Sequence, residues 1–145
     1  MSYSYNYPHF ALTADAVVFS KSDEGLDILL IRRAQEPFKD CWAFPGGYVN
    51  IDEVIEIAVH RELEEETSIS DVSLKRFDVF DAPARDPRER TVSVVYYGLI
   101  HGSKESIKAG DDAADAKWFP LHNLPELAFD HSMILEKLLA EVEKC

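Results

Sequence analysis

The 23 residues from Gly47 to Ile69, GYVNIDEVIEIAVHRELEEETSI, decide the fold. From Asp52 to Thr67 there is no Gly or Pro, and Glu, Ala, Leu and Ile predominate, which predicts the clearest helix of the chain. Asp52 is the expected N-cap, and Glu53 suits the positive end of the helix dipole. The sequence therefore predicts a loop, a helix and a second loop in this stretch.

Three carboxylates share one face of the predicted helix. With about 100° per residue, Glu65 and Glu66 fall roughly 60° and 40° either side of Glu62. A run of charge is often only a solvated helix face. Carboxylates this close repel one another, however, unless cations lie between them, and clustered oxygen ligands suit Mg²⁺ or Mn²⁺. The spacing makes this face a candidate metal site.

The same stretch resembles the Nudix box, whose order is Gly, five residues, Glu, seven residues, Arg-Glu-apolar, one residue, Glu-Glu, one residue, Gly and an apolar residue. The matching positions are Gly47, Glu53, Arg61-Glu62-Leu63, Glu65-Glu66 and Ile69. The one departure is Ser68, which stands where the family has Gly. That Gly ends the helix in a left-handed conformation, which costs a Ser about 1 kcal/mol.

The resemblance implies a role for each matched residue. Glu62, Glu65 and Glu66, with the carbonyl of Gly46, resemble the family's metal ligands. Glu53 resembles the glutamate that supports or joins the metal shell. Arg61 is expected to orient a box glutamate. The catalytic residues implied are Glu62, Glu65, Glu66 and Arg61.

The rest of the chain predicts strands on both sides of the box and a helix after it. The predicted strands are Ala11–Phe19, Leu26–Arg32, Val72–Phe80, Thr91–Ile100 and Ala116–Phe119, with loop and short strand over Pro37–Val49 and an amphipathic helix over His131–Lys144. This order predicts an α+β fold. The resemblance implies the Nudix fold, an α/β/α sandwich with a mixed sheet between helices. We expect one domain over residues 1–145.

Weaker matches outside the box resemble a Nudix branch that includes ADP-ribose pyrophosphatases. They are Asp86-Pro87-Arg88, Ala109-Gly110-Asp111-Asp112-Ala113 and Trp118-Phe119-Pro120. The reaction implied is attack of a metal-activated water on a diphosphate, which converts ADP-ribose to AMP and ribose 5-phosphate. The candidates for the general base are Glu65, Glu105, Asp111 and Asp112. An oxidised nucleoside triphosphate, a nucleotide sugar and a non-catalytic ligand sensor remain as alternatives.

Charge limits the partners of this chain. Fifteen basic against 27 acidic residues give a net charge of −12, which disfavours nucleic acid and membrane surfaces. A small nucleotide remains compatible, because local arginines offset the global charge. The candidate residues for binding a diphosphate or terminal phosphate are Arg32, Arg33, Arg85, Arg88 and Arg90. The aromatic residues Phe44, Tyr48 and Phe129 are candidates for stacking on adenine.

Cysteine usage and the N-terminus indicate the compartment and the assembly. Cys41 and Cys145 form neither a disulfide framework nor a C-x-x-C pair. The first ten residues lack the pattern of a signal peptide, so a cytoplasmic protein is expected. This aromatic segment is a candidate contact with a second copy, and the resemblance includes hydrolases that are often dimers.

Overall fold

A mixed β-sheet forms the middle layer of the computed structural model, which describes residues 2–22, 25–100 and 113–142. The strands are β1 (Ala11–Ser22), β2 (Gly25–Arg33), β3 (Trp42–Ala43), β4 (Gly46–Tyr48), β5 (Lys75–Phe80), β6 (Thr91–Ile100) and β7 (Ala113–Pro120). The helices are α1 (Ile55–Thr67) and α2 (His131–Val142). The main path runs β3-β2-β1-β6-β5, with β4 paired to β1 and β7 to β2. The pair β1–β6 is parallel and the other strand pairs are antiparallel.

The two helices cover opposite faces of this sheet. Successive side chains of a strand point to opposite faces, and β1 follows this rule. Ala14, Ala16 and Val18 pack with residues of α1, whereas Val17 and Phe19 pack with residues of α2. The α/β/α sandwich with a mixed sheet is confirmed. Within the described part of the chain, no helix is long and apolar enough to cross a membrane.

Helix α1 begins later than the sequence predicts. Its N-cap is Val54, which makes no side-chain capping hydrogen bond, so the prediction of Asp52 as N-cap is wrong. The reason is a turn that precedes the helix. The carboxylate of Glu53 accepts a hydrogen bond from the Asn50 N–H (2.9 Å), and the Glu53 N–H donates to the Asn50 carbonyl (3.2 Å). This turn closes before the helix starts.

The strand after α1 also begins later than predicted. Strand β5 starts at Lys75 and not at Val72. Val72 and Leu74 are instead half-buried and pack against the core beneath α1. Their apolar character therefore reflects contact with the core rather than membership of the strand.

Candidate active site

A cavity of about 490 Å³ lies where the start of α2, the end of β2 and the glycine strand β4 meet the charged face of α1. Its lining contains both negatively and positively charged side chains. The acidic residues are Asp15, Glu62, Glu66 and Asp86, and the basic residues are Arg33, Arg85 and Arg88. Both signs of charge in one cavity suit a ligand that is held by a cation at one point and by arginines at another.

The structure places two of the three predicted glutamates in the cavity lining. Glu62 and Glu66 both line the cavity. The side chain of Glu62 is 15% exposed and Glu66 is 7% exposed, and Glu66 accepts a 2.7 Å hydrogen bond from the Gly46 N–H. The side chain of Glu65 is 58% exposed and does not belong to the described cavity lining. The helix therefore presents a pair of carboxylates to the cavity rather than a cluster of three.

The two glycines of β4 allow α1 and β1 to approach closely. A Cβ atom added to Gly47 would lie 2.6 Å from the carboxyl carbon of Glu62. Gly46 is opposite Asp15 in the β1–β4 register, and a Cβ there would overlap the Asp15 carboxylate. Any side chain at either position would displace a carboxylate of the cavity. The glycine pair is therefore required by packing at the site.

Arg61 lies beside the cavity and holds the acidic residues around it. Its guanidinium donates to both oxygens of Glu53 (2.6 and 3.0 Å), to Glu62 (2.8 Å), to Glu65 (3.2 Å) and to the carbonyl of Tyr48 (3.0 Å). The hydrogen bonds from Arg61 lower the pKa of Glu53, and the Glu53 carboxylate in turn raises the pKa of Arg61. Arg61 is thus placed to orient the Glu62 carboxylate, which is the arrangement expected from the sequence.

The donor set of the cavity fits a hard divalent cation. Carboxylate oxygens from Glu62 and Glu66 and the backbone at Gly46 are the oxygen ligands that Mg²⁺ and Mn²⁺ prefer. Over residues 2–22, 25–100 and 113–142, no three His, Cys, Asp or Glu side chains form a group that would hold one ion. A cation here would complete its shell with water and phosphate oxygens, which is the usual mode of Mg²⁺.

Asp15 is a cavity residue that the sequence reasoning missed. It lies on β1, is buried, and accepts a hydrogen bond from the Ser93 hydroxyl. Burial raises the pKa of Asp15 to about 6, against the opposing effects of the Ser93 hydrogen bond and the charge of Arg85. The sequence does carry a signal for Asp15, which is an acidic residue inside the small and β-branched run Ala11–Phe19. Burying an unpaired charge in a strand costs free energy, so such a residue indicates a site.

The five predicted phosphate-binding arginines have different environments. Arg33, Arg85 and Arg88 line the cavity, whereas Arg32 and Arg90 are not among the described lining residues. The side chain of Arg32 leaves β2 on the opposite face from Arg33, and Arg90 donates to the Asp81 carbonyl (3.2 Å). Arg85 is paired with Asp130 through two hydrogen bonds of 2.9 and 2.7 Å, and the two side chains are 5% and 17% exposed.

Arg88 is held by a buried aspartate. Its Nε and Nη2 donate to Asp86 (3.1 and 2.8 Å), and its backbone N–H donates to the same carboxylate (2.9 Å). Burial alone would raise the pKa of Asp86, but the hydrogen bonds and charge of Arg88 outweigh it and lower that pKa. The Arg88 side chain is 39% exposed, so it remains accessible from the cavity opening.

Of the predicted stacking residues, only Phe129 and Tyr48 are accessible. Phe44 is buried and stacks on His131 with ring centres 4.2 Å apart. His131, which the sequence suggested only as a helix-start residue, accepts a hydrogen bond from the Phe44 N–H through Nδ1 (3.1 Å). Burial lowers the pKa of His131 to about 3, so this imidazole is neutral at physiological pH. Its role is to fix the backbone just before the glycine pair.

The residue that departs from the box has the backbone expected of the family glycine. Ser68 has φ 69° and ψ 11°, and its N–H donates to the Glu64 carbonyl (2.8 Å). The helix therefore ends as the motif requires, with a serine in a left-handed conformation. The other candidates for the general base, Glu105, Asp111 and Asp112, lie outside the described residues.

Comparison with known proteins identifies relatives that match in sequence and in structure. The model of the NUDIX domain matches residues 9–141. An "ADP-ribose pyrophosphatase" of Methanocaldococcus jannaschii is 42% identical over 130 residues, which cover 90% of this chain and 73% of the relative. An "ADPR responsive transcriptional repressor NtrR" of Acinetobacter baylyi is 33% identical over 94% of this chain, but the match spans only 56% of the repressor.

A solved structure agrees with the sequence relatives. The NUDIX domain of Shewanella oneidensis NrtR complexed with ADP ribose superposes with a TM-score of 0.87 at 31% identity, covering 94% of this chain and 90% of that domain. The relatives therefore include a protein called a pyrophosphatase, a repressor called ADPR responsive and a NUDIX domain complexed with ADP ribose.

Proposed function

The chain belongs to the Nudix family, and on that premise we propose that it is a Mg²⁺-dependent pyrophosphatase that hydrolyses ADP-ribose to AMP and ribose 5-phosphate. The observation that carries the proposal is one cavity lined both by Glu62 and Glu66 and by Arg33 and Arg88. A diphosphate needs both features, because its oxygens bind cations as well as guanidinium groups.

Each side chain of the cavity has a task in this reaction. Glu62 and Glu66, with the Gly46 carbonyl, would hold the cation, and Arg61 keeps Glu62 in position. The cation supplies positive charge at the phosphate oxygens and a more acidic bound water. Arg33 and Arg88 bind and orient the diphosphate, so that the water oxygen attacks one phosphorus while the bond from that phosphorus to the bridging oxygen breaks. Glu65, exposed beside Arg61, stays a candidate for the base that removes the water proton.

ADP-ribose is favoured as substrate by the relatives and by an aromatic side chain at the cavity. The Methanocaldococcus relative is called an ADP-ribose pyrophosphatase, and the Shewanella domain is complexed with ADP ribose. The exposed ring of Tyr48 at the cavity offers a surface on which a base or sugar can stack. Mn²⁺ is expected to replace Mg²⁺, since the same oxygen ligands suit both ions.

A ligand sensor is the second candidate, because the Acinetobacter relative is a repressor. A sensor needs the cavity but not the catalytic glutamates. Here Glu62, Glu66 and Arg61 are all present and connected by hydrogen bonds to one another or to the glycine strand. This arrangement favours hydrolysis over binding alone.

The experiment is an assay of AMP release from ADP-ribose with Mg²⁺, beside oxidised nucleoside triphosphates and nucleotide sugars at equal concentration. We expect Mg²⁺-dependent AMP release with a higher kcat/KM on ADP-ribose than on the other compounds. Faster cleavage of another compound would replace the substrate. Tight binding of ADP-ribose with no cleavage of any diphosphate would favour the sensor.

A single domain over residues 1–145, a cytoplasmic location and a homodimer belong to the same proposal. The match over residues 9–141 supports one domain. The exposed rings of Tyr3, Tyr5 and Tyr7 near the N-terminus support contact with a second copy. Light scattering on the purified protein would give twice the chain mass of 16.5 kDa for a dimer.

A further inference from the structure

Three consecutive residues at the start of α2, Phe129, Asp130 and His131, contact other segments that line the cavity. Phe129 contacts Arg33 and Arg88, and Asp130 forms an ion pair with Arg85. His131 accepts a hydrogen bond from the Phe44 N–H. The backbone before them is anchored, since the Ala128 N–H donates to the Trp42 carbonyl (2.7 Å). This short segment therefore fixes parts of the cavity that come from distant positions in the sequence.

The Phe129 ring contacts both accessible arginines of the cavity. The guanidinium carbon of Arg33 lies 4.9 Å from the ring centre, and that of Arg88 lies 5.5 Å from it. Both distances are within the range of cation–π attraction. Phe38, from the loop after β2, packs on the same ring with centres 4.9 Å apart. One aromatic ring thus joins three segments at the basic end of the cavity.

Two like charges lie against the Phe129 ring. Burial and the positive charge of Arg88 both lower the pKa of Arg33, as expected for neighbouring cations. The face of the ring offers partly negative charge to each guanidinium and so offsets part of that repulsion. An anion that lies between the two arginines would offset the rest.

Contact with the ring leaves guanidinium N–H groups for such an anion. Arg33 donates from Nε to the Pro37 carbonyl (2.7 Å), and within the described part of the chain its two terminal nitrogens make no hydrogen bond. Arg88 uses Nε and Nη2 for Asp86. A guanidinium group has five N–H donors in one plane, so donors of both arginines stay available for phosphoryl oxygens.

The backbone of Phe129 is a further sign that the ring is held at this position. Its φ of 53° is in the left-handed region, which is unfavourable for a bulky residue other than glycine. Such conformations persist where the surroundings hold them and are concentrated at ligand-binding sites. Ion pairing of the next residue, Asp130, with buried Arg85 supplies that constraint.

We propose that Phe129 is a positioning residue that fixes the spacing of the Arg33 and Arg88 guanidinium groups and thereby sets the affinity of the cavity for two adjacent phosphoryl groups. The inference rests on the proposed function, because it takes the diphosphate of the substrate as the ligand of these arginines. It adds a residue that touches the arginines and acts on the diphosphate through them.

The test compares kcat and KM for ADP-ribose hydrolysis in the wild type, Phe129→Leu, Phe129→Met and Phe129→Tyr. Leu and Met fill space but offer no aromatic face, so KM rises about five- to thirtyfold while kcat changes less than about twofold. Tyr keeps the face and restores KM to within about threefold of the wild type. Thermal unfolding identifies the variants that are folded at the assay temperature. The matched control is Lys137→Met, which removes a cation–π contact with Phe80 (5.3 Å) outside the described cavity lining and leaves KM unchanged.

The inference is overturned if folded Phe129→Leu or Phe129→Met keeps the wild-type KM, or if Phe129→Tyr is as impaired as they are. Calorimetric titration with ADP-ribose in EDTA distinguishes this failure from that of the proposed function. Binding that weakens with Phe129→Leu, in a wild type that hydrolyses no ADP-ribose, overturns the proposed function and supports the inference. If the wild type hydrolyses ADP-ribose and Phe129→Leu changes neither hydrolysis nor binding, the proposed function is supported and the inference is overturned. A wild type that neither hydrolyses nor binds ADP-ribose contradicts the proposed function and the inference alike.

Discussion

The acidic and basic parts of the cavity are built in opposite ways. Glu62 and Glu66 come from one helix, four residues apart, and the Arg61 that orients Glu62 is its neighbour. The basic part is assembled from the end of β2, the loop that contains Arg85 and Arg88, and the start of α2. The difference teaches that the pair of glutamates proposed to bind a metal is local in sequence, whereas the proposed recognition of the rest of the ligand depends on tertiary structure.

The largest effect is expected at the acidic part. Glu66→Gln removes one carboxylate of the proposed metal site and keeps the size of the side chain. We expect kcat for ADP-ribose to fall about a thousandfold, since a metal site and its electrostatic stabilisation contribute several kcal/mol to catalysis. Steady-state assays with Mg²⁺ measure this.

The matched control for that variant is Glu64→Gln, because Glu64 lies on the exposed side of the same helix. It removes an equal charge from α1 and should leave kcat within about twofold of the wild type. Equal losses in the two variants would mean that helix charge, and not the cavity pair, matters.

The next effect concerns stability at the basic part. Asp130→Asn leaves Arg85 buried without its ion-pair partner, which should lower the free energy of unfolding by about 3 kcal/mol. Urea unfolding at pH 7 measures the change. Asp78→Asn, which breaks an exposed pair with Lys137, should cost less than about 1 kcal/mol. A similar cost for both variants would show that the Arg85–Asp130 pair does not stabilise the basic part.

A pH-dependent effect on the free energy of unfolding is expected at His131, which lines the cavity. The folded-state pKa of His131 is about 3 against an ordinary 6.5, so below pH 6.5 the unfolded chain takes up a proton that the folded one does not. This contribution to stability is complete above pH 6.5 and is lost as the pH falls towards 3, at about 1.4 kcal/mol per pH unit. Asp130, Arg85 and Arg33 are the charged groups whose fields act on His131.

The variant His131→Asn keeps an acceptor near the position of Nδ1 but does not titrate. Its free energy of unfolding should therefore approach or exceed that of the wild type as the pH falls below 6.5. Asp15, with a pKa raised to about 6, has the opposite sign, because its folded form gains a proton and stability between pH 6 and its ordinary 3.8. Asp15 is present in both proteins and cancels in the comparison. Parallel pH profiles from urea unfolding would contradict the account of His131.

The smallest effect is expected at the end of α1. Ser68 has a left-handed backbone, so Ser68→Gly removes an unfavourable conformation and should stabilise the protein by about 1 kcal/mol. Activity should stay the same, because Ser68 is exposed and is absent from the described cavity lining. Thermal unfolding gives the first value and an ADP-ribose assay the second. Destabilisation by glycine would show that the Ser68 side chain stabilises the helix end.

The acidic part was open to prediction because its signal is contiguous. A helix of regular period places Glu62 and Glu66 on one face, and the box spacing identifies them without any tertiary information. Glu65 was one exception, because the same period placed it beside Glu62 but its side chain is 58% exposed. The helix start was another, where Asp52 has the right residue type for an N-cap but the turn from Asn50 to Glu53 is closed by hydrogen bonds. Residue preference alone does not reveal that turn.

The basic part was predictable only as a set of residue types. The sequence marks Arg32, Arg33, Arg85 and Arg88 equally, and only the fold separates those that line the cavity from Arg32. Asp130, the partner of Arg85, is 45 residues away along the chain. Phe129 has no local signal that distinguishes it from a core aromatic residue. Long-range contacts of this kind depend on how α2 docks on the sheet.

The most direct test of the account is a side-by-side measurement of kcat and KM for Mg²⁺-dependent hydrolysis of ADP-ribose by Glu66→Gln and Arg33→Lys. The account predicts that Glu66→Gln lowers kcat with a smaller change in KM. Arg33→Lys, which keeps the charge but loses the planar fork, is predicted to raise KM about tenfold with a smaller change in kcat. Loss of kcat in both variants, with KM unchanged, would contradict the division of the cavity into a part for chemistry and a part for binding.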